Sequence, residues 1–309
     1  MDSTPTFRVV LLVTTLALAF ACRHDPRSDR GSEPAAQAAR PQRILPANAG
    51  ALDFVLALCE PERIVALSPV SIDYSVGAHE LGVADALRAK ANLGVWNGET
   101  ALSTAPDLVI MSHWQDRAIS DLMERSNIRV VVLPDVVTFD DVVRVLTELG
   151  EAVGEPERAA VKIADLRARV DALRARAPLT DLRVMTYTNL GVGGSTAGAG
   201  TTYDTVIRLA GLRNAAAEAG LESFQNVDFE RLVAIDPDAF VVGLGADDDD
   251  ELGASERFLR ETKGWDALRA VREERYLRLP SRLFATNSHW LVRAAEELRD
   301  AYEAARDAR

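Results

Sequence analysis

The chain has 309 residues, of which 48% are hydrophobic and 27% charged, and its formal net charge is −12. This composition is typical of a globular protein, and the length suits two domains of ordinary size. The negative charge argues against nucleic acid or an anionic membrane surface as the partner, because both bind through clustered Lys and Arg.

The N-terminal segment predicts export. Arg8 precedes an unbroken run of apolar and small residues over 9–21, which is too short to span a bilayer and is typical of a signal peptide at residues 1–21. The run ends in Ala-Phe-Ala before Cys22, which fits an ordinary cleavage site and also resembles the lipobox of bacterial lipoproteins. We favour lipidation of Cys22, because a polar tether follows over 22–42.

The expected location is therefore outside the cytoplasm, periplasmic or at the cell surface, with the lipid on Cys22 as the only attachment to the membrane. The second cysteine, Cys59, lies in the apolar helical pattern "ALDFVLALC" and is predicted to be a buried thiol. A Cys22–Cys59 disulfide would require that Cys22 escapes lipidation.

From residue 43 onward, short apolar runs alternate with amphipathic segments, which predicts an α/β fold with parallel sheets covered by helices. The predicted strands are 43–45, 64–67, 108–111 and 130–133 in the first half, and 183–187, 240–244 and 276–279 in the second. The glycine-rich stretch "LGVGGSTAGAG" lacks a phosphate-binding register and is interpreted as a flexible turn from strand to helix.

A single long helix is predicted between the two halves. The segment "EPERAAVKIADLRARVDALRARAP" has Pro156 at its start, Pro178 past its end and an apolar stripe at Ile163, Leu166, Val170 and Leu173. The resulting organisation is an N-terminal lobe at 43–154, a connecting helix at 155–178 and a C-terminal lobe at 179–309.

Two internal similarities connect the halves. "STAPDLVIM" and "AIDPDAFVVG" each place Pro-Asp directly before an apolar strand, at Pro106 and Pro237. The string Ser-His-Trp also occurs twice, around His113 and His289, but its copies occupy different positions relative to the strands. Duplication therefore does not account for the repeated Ser-His-Trp.

Several motifs in one order resemble a known family. They are "ALSTAPDLVI", "AGAGTTYDTVIRLAGLRNAA", "FERLVAIDPDAFVVG" and "GWDALRAVREERYLRLP". Over residues 43–305 the chain resembles the class III periplasmic substrate-binding proteins of ABC importers for vitamin B12, iron-siderophores and haem. The resemblance implies two Rossmann-like lobes bridged by a rigid helix, a ligand cleft between the lobes, and no enzymatic activity.

The resemblance also nominates ligand-binding residues. In the first lobe they follow strands in "SIDYS", "GVWNGE" and "MSHWQD", at Tyr74, Trp96, His113 and Trp114. In the second lobe the loop "SRLFATN" after the last strand supplies Arg282, Leu283 and Phe284. His289 and Trp290 align instead with the start of the final helix, where the family commonly has Pro-Arg.

The expected ligand is a metal chelate, with cobalamin or another corrinoid preferred. Trp96 and Trp114 match the vitamin B12-binding branch, and no dense Arg or Lys cluster marks a site for an anionic catecholate. Haem, with His113 or Tyr74 as axial ligand, and ferric siderophores are the alternatives. No cofactor or metal of the protein's own is expected.

Two other classes of function have weaker support in the sequence. A secreted α/β hydrolase requires Gly-x-Ser-x-Gly, and the sequence at 193–197 lacks the second glycine. A free-metal binder would have to use His113 and His289, and His113 with Asp116 offers too few ligands.

The expected protein partner is the pair of membrane subunits of an ABC importer, contacted by a monomer. The family resemblance implies one acidic group on each lobe for docking to basic residues of these subunits. The candidates are Asp116 after the strand ending at Met111, and the run Asp247, Asp248, Asp249 and Asp250 in the second lobe.

Overall fold

Two parallel sheets, one before and one after a 20-residue helix, form the framework of the structure. The computed structural model describes residues 40–307 except 95, 178, 180–181, 190, 192 and 245–252. The predicted signal peptide, Cys22 and the acidic run Asp247 to Asp250 lie outside the described residues. Over the described part, no helix combines the length and apolar character that crossing a membrane requires.

The strands of the first half are β1 Ile44–Pro46, β2 Ala66–Leu67, β3 Ala91–Asn92, β4 Leu108–Ser112 and β5 Arg129–Leu133. Those of the second half are β6 Arg183–Thr186, β7 Thr188–Asn189, β8 Gly194–Ala197, β9 Arg213–Asn214, β10 Phe224–Val227, β11 Ala239–Gly243 and β12 Tyr276–Leu279. In the first half β1, β4 and β5 pair in parallel with β4 central, and β2 pairs with β3. In the second half the parallel order is β12-β11-β6-β9.

The helices up to the middle of the chain are α1 Ala49–Leu58, α2 Pro69–Tyr74, α3 Val76–Glu80, α4 Ala84–Arg88, α5 Gly98–Ser103, α6 Arg117–Arg125, α7 Phe139–Val153 and α8 Pro156–Ala175. Those that follow are α9 Thr202–Leu209, α10 Ala215–Glu218, α11 Phe229–Ile235, α12 Ala254–Glu261, α13 Arg269–Arg272, α14 Ser281–Phe284 and α15 Leu291–Asp307. The predicted α/β fold with parallel sheets is therefore confirmed, and each predicted strand overlaps an observed one.

Helix α8 begins at Pro156, and the predicted apolar stripe from Ile163 to Leu173 is buried along its length. The start of α8 is held by Arg63, which is 5% exposed and donates to Glu155 Oε1 at 2.8 Å and to the Val153 carbonyl at 2.6 Å. This guanidinium satisfies a carbonyl at the end of α7 and a carboxylate at the beginning of α8, so it fixes the turn between the two helices.

The glycine-rich stretch of the second half differs from its prediction as a flexible turn. Part of it forms β8, which pairs antiparallel with β7 and β10 in a three-stranded sheet. Glycine is needed in this strand because of a close contact with a side chain. A Cβ on Gly194 would lie 2.6 Å from the Tyr187 ring. The strand passes so close to this buried ring that only glycine fits, and the composition imitates that of a loop.

The same corner precedes an inner strand of each of the two larger parallel sheets, β4 in the first half and β11 in the second. In the first half, the N–H of Asp107 donates to the carbonyl of Arg43 and its carboxylate accepts from the N–H of Arg43, both at 3.0 Å. In the second half, Asp238 exchanges the same two bonds with Arg183, both at 2.8 Å. Each Asp therefore ties its own strand to the neighbouring strand at the point where both begin.

The repeat extends to the backbone and the arginine side chains. The residue before each Pro-Asp has a positive φ, 48° at Ala105 and 43° at Asp236. A guanidinium Nη2 donates to the carbonyl one residue earlier, from Arg43 to Thr104 at 2.5 Å and from Arg183 to Ile235 at 3.1 Å. The Pro-Asp similarity in the sequence thus corresponds to one structural corner used twice.

We expect Asp238→Ala to lower the free energy of unfolding by about 1–3 kcal/mol, because a partly buried backbone N–H and the Arg269 guanidinium, at 2.6 Å, both lose their acceptor. Chemical denaturation of both proteins measures the difference. Asp266→Ala, at an exposed position of the same half, is the control and should leave the stability nearly unchanged. Equal effects of the two substitutions would contradict the role of the corner.

Candidate functional site

A cavity of about 460 Å³ lies where the two halves of the chain meet. The first half contributes α1 and the loops that follow the carboxyl ends of β4 and β5. The second half contributes the start of α9, the beginning of β10 and the loop before α15. Its principal side chains are Phe54, Trp114, Asp135, Tyr203, Phe224 and Asn287. The position agrees with the usual ligand site of open α/β sheets, outside the carboxyl ends of the strands.

Trp114 is directed outward by an inward-facing neighbour. Gln115 Oε1 accepts from Asn48 Nδ2 and from the N–H of Ser112, both at 2.9 Å, and its Nε2 donates to the Ala47 carbonyl at 3.3 Å. These bonds tie the turn after β4 to the N-cap of α1. Trp114 consequently stays 61% exposed on the cavity wall, an unusual position for so large an apolar side chain.

His113 lies beside this turn and is held by an acid of the cavity wall. Its Nε2 is 2.7 Å from Asp135 Oδ1, and both side chains are largely exposed. The His113 N–H donates to the Leu133 carbonyl at 3.0 Å, which keeps the turn against the end of β5. An imidazole in this position can offer one nitrogen to a ligand while the carboxylate orients the ring.

The facing wall is built around Tyr203. Its ring lies 5.1 Å from the Phe284 ring and 5.9 Å from the Phe224 ring, and burial raises the pKa of the phenol to about 12. The adjacent Thr202 donates its hydroxyl to the Val136 carbonyl at 2.7 Å, joining the two halves beside the cavity. Sequence reasoning missed Tyr203, although it stands in the family-like stretch "AGAGTTYDTV".

The other predicted ligand residues lie behind the wall or outside the cavity. Phe284 supports Tyr203, and Leu283 is buried in the core. Tyr74 is 58% exposed at the end of α2 and does not line the cavity. Arg282 lies near Tyr74, because its Nε donates to the carbonyl of the preceding residue, Asp73, at 2.8 Å.

Trp96 lines a separate shallow depression, together with Glu99 and Asp116. Asp116 caps α6 by accepting from the N–H of Ala118 at 2.9 Å. The structure thus brings Trp96, predicted to bind ligand, next to Asp116, predicted to dock the transporter. Neither residue lines the cavity between the halves, and both assignments stay predictions.

The chemistry of the cavity wall is aromatic and uncharged apart from one acid. Phe54, Trp114, Tyr203 and Phe224 supply rings, and several Ser, Thr and Asn side chains supply hydrogen-bonding groups. Among the described residues that line the cavity there is no Lys or Arg. Such a wall favours a flat, neutral ligand over a strongly anionic one.

The second Ser-His-Trp string lies next to a different face of α1. His289 is 3% exposed, and its ring lies tilted against the Phe54 ring with the centroids 5.6 Å apart. Burial lowers the pKa of its imidazole to about 3, with smaller effects from Lys162 and Arg169. His289 therefore packs behind the cavity wall as a neutral side chain. Within the described residues, no three His, Cys, Asp or Glu side chains are grouped so that they could hold a metal ion.

Ser288, the first residue of this string, donates to Asp53 of α1 at 3.0 Å. Asp53 Oδ1 also accepts from the Ser75 hydroxyl at 2.6 Å and from the Gly77 N–H at 2.8 Å. Burial nevertheless raises the pKa of the Asp53 carboxyl to about 6, and these hydrogen bonds offset only part of that rise. The ionised form is therefore costly to keep.

Asp53→Asn should raise stability at neutral pH. The pKa of this carboxyl is 3.8 in the unfolded chain and about 6 in the folded protein, so the folded protein binds more protons between these pH values. The free energy of unfolding of the wild type therefore falls as the pH rises from about 3.8 to about 6. The loss amounts to about 3 kcal/mol above pH 6. Asn keeps an oxygen for Ser75 and Gly77 and can donate to Ser288.

The free energy of unfolding, measured for both proteins between about pH 4 and pH 7.5, tests this expectation. The free energy of unfolding of the variant should increase relative to that of the wild type as the pH rises. Titration of His289 affects both proteins equally and cancels in the difference. A difference that does not change with pH would contradict the proposed cost of ionising Asp53.

Comparison with known proteins gives a consistent result. A family model described as a periplasmic binding protein matches residues 61–283. A curated cobalamin-binding protein of Halobacterium salinarum is 29% identical over 208 residues, covering 61% of this chain and 55% of the relative. The chain thus spans about half the length of the curated relatives it matches.

Solved structures share the fold. A periplasmic heme-binding protein of Pseudomonas aeruginosa is 25% identical, with a TM-score of 0.67 over 85% of this chain and 92% of its own. The periplasmic heme-binding protein HutB of Vibrio cholerae is 19% identical, with a TM-score of 0.70 over 84% of this chain and 98% of its own. Both likenesses support the α/β architecture.

Proposed function

We propose that this chain, which belongs to the periplasmic binding protein family, is the substrate-binding component of an ABC importer and captures cobalamin or another corrinoid. The ligand would bind between the two halves, in the cavity lined by Trp114 and Tyr203. An importer component has to work outside the cytoplasm, which agrees with the export signal and lipid anchor predicted from residues 1–22.

The main support for this proposal is that the cavity lining is rich in aromatic rings and contains no cationic side chain among the described residues. Four aromatic side chains line the cavity, and its described lining contains no Lys or Arg. A corrin is a flat macrocycle whose periphery carries neutral amides, so it can use ring contacts and hydroxyl or amide hydrogen bonds without a cationic partner. Haem propionates and catecholate siderophores would leave anionic groups without such a partner.

The size of the cavity indicates how such a ligand is held. About 460 Å³ encloses part of a macrocycle rather than a whole cobalamin. The remainder would extend past the rim, where Trp114 is 61% and Phe224 63% exposed. Binding would then cover apolar rings that otherwise face water, and this burial supplies favourable free energy.

Haem is the second candidate, supported by one observation. His113 does not line the cavity itself, but it adjoins the lining residue Trp114 and its ring nitrogen is 2.7 Å from Asp135 of the wall, an arrangement that suits an axial ligand to iron. The corrinoid is preferred because the described cavity lining offers no cation for the two propionates.

A hydrolase has less support from the geometry. Ser195, the serine of the incomplete Gly-x-Ser motif, lies within β8, and its hydroxyl donates to the Thr188 carbonyl at 3.4 Å. A nucleophilic serine requires a base within hydrogen-bonding distance, and the hydrogen bond observed here is to the backbone.

We expect Trp114→Ala to weaken cyanocobalamin binding about tenfold or more, because the largest exposed ring on the wall is lost. Trp96→Ala is the matched control, since Trp96 lines the separate depression. Isothermal titration of both variants measures the change. Equal losses in the two variants would return Trp96 to the ligand site, and no loss in Trp114→Ala would contradict the assignment of the cavity.

Titration of the wild type and of His113→Ala with haemin distinguishes the two candidate ligands. Saturable haemin binding with a Soret shift that His113→Ala abolishes, and no response to cyanocobalamin, would replace the corrinoid with haem.

Docking to the importer is proposed through Asp116 and the acidic run Asp247 to Asp250. Neutralising Asp116 together with this run should leave cyanocobalamin affinity unchanged and abolish binding to the membrane subunits, because paired charges fix the orientation of the complex. The wild-type association should also weaken as salt rises. Unchanged uptake in a transport assay with the neutralised variant would contradict docking through these residues and leave the binding role intact.

A further inference from the structure

A second cavity, of about 370 Å³, lies against a different face of α1. The first cavity is lined by Gly50, Ala51 and Phe54 of this helix, whereas the second is lined by Asp53, Leu56 and Ala57. Its other walls come from α3, the start of α8 and the second Ser-His-Trp string. The proposed import function makes no use of this space.

Two buried polar atoms in the wall have no partner. His289 Nδ1 and Trp290 Nε1 are each excluded from solvent and form no hydrogen bond within the described residues. His289 is 3% exposed, so its nitrogen cannot be satisfied by bulk water. Buried polar groups are nearly always paired, and the Trp290 Nε1–H, which can only donate, requires an acceptor that the described residues do not supply.

A cation that forms no ion pair within the described residues stands beside them. Lys162 of α8 lines the cavity with its Nζ 5.9 Å from the centre of the Trp290 ring, and within the described residues it forms no ion pair. Burial lowers the pKa of its ammonium group, and the negative charge of Asp165 offsets only part of that effect.

The remaining charges of the wall are already compensated. Arg158 Nη1 donates to Glu60 Oε1 at 2.6 Å. The Asp53 carboxylate accepts hydrogen bonds from Ser75, Gly77 and Ser288. The group left to attract a ligand by charge is therefore the Lys162 ammonium. Apolar side chains, from Leu56, Leu81 and Val83, complete the lining.

We propose that this second cavity binds a small organic monocarboxylate. Its carboxylate would accept hydrogen bonds from Trp290 Nε1 and Lys162 Nζ, and its apolar body would contact Leu56, Leu81 and Val83. A carboxylate supplies acceptors for both donors and a charge opposite to that of Lys162. A water molecule could satisfy the indole but would leave the ammonium without a counter-charge.

Gly77 keeps the space at the indole nitrogen open. A Cβ at this position would lie 3.2 Å from Asp53 Oδ1 and 3.4 Å from Trp290 Nε1. Gly77→Ala would therefore place a methyl group where the carboxylate has to approach the indole. The substitution is compatible with helix α3, since Ala has the higher helix propensity.

The test is ¹⁹F NMR of the full chain labelled with 5-fluorotryptophan, which gives one resonance for each of the four tryptophans. Trp290→Phe assigns the relevant signal. Sodium isobutyrate, hexanoate and benzoate are the probes, and benzamide is the neutral match for benzoate. We expect at least one carboxylate to shift the Trp290 resonance saturably with a dissociation constant below about 1 mM, and benzamide to leave it unchanged.

Lys162→Met should weaken this response at least tenfold, and Lys263→Met, at an exposed lysine, should leave it unchanged. Gly77→Ala should abolish it while the other three tryptophan resonances stay in place. The proposal is overturned if none of the three carboxylates shifts the Trp290 signal, if benzamide shifts it as strongly as benzoate, or if Lys162→Met responds like the wild type. Trp114→Ala should respond normally, so failure at the first cavity does not affect this outcome.

Discussion

The reciprocal bonds between an aspartate and the backbone of an arginine align two pairs of neighbouring strands: Asp107 with Arg43 joins β4 to β1, and Asp238 with Arg183 joins β11 to β6. Each pair fixes where β4 or β11 begins relative to that neighbour, and a strand of defined start and length has a defined end. The loop after β4 therefore emerges at a fixed height beside the loop after β5. Because ligand-binding loops of such sheets follow the carboxyl ends of strands, a corner at the opposite end of the sheet determines the position of the cavity wall.

In the loops that follow the strand ends, local hydrogen bonds determine which side chains face the cavity. Gln115 turns inward to Asn48 and Ser112, and this leaves Trp114 facing the cavity. On the other side, Thr202 bonds to the Val136 carbonyl and keeps Tyr203 against the first half. An exposed indole and a partly buried phenol thus face the same space for different reasons. The exposed ring offers apolar area that a ligand can cover, whereas the phenol, packed against Phe284, provides a rigid support.

The sequence predicted the strands and the buried stripe of α8 because both follow from the spacing of apolar residues. It nominated Trp114 through a motif after a strand, and Trp114 lines the cavity. The same reasoning placed Trp96 in the site, but the structure puts Trp96 in another depression, because the path of a loop after a strand is not encoded in periodicity. Tyr203 was missed because a tyrosine in the first turn of a helix has no local signature of facing a cavity. The Pro-Asp similarity was noticed, but its meaning required the paired arginines to be seen beside it.

Helix α1 separates two cavities whose linings carry different charged groups. On the Phe54 face the described lining has one acid and no cation. On the Asp53 face it has two acids and two cations, and the Lys162 ammonium is the cation that forms no ion pair within the described residues. His289 stands between them and stays neutral, because burial lowers its pKa to about 3, so it adds no positive charge to either space. A protonated imidazole there would attract anions toward both cavities. Its neutrality keeps the attraction for anions on one side of α1, and the aromatic cavity retains its preference for uncharged ligands.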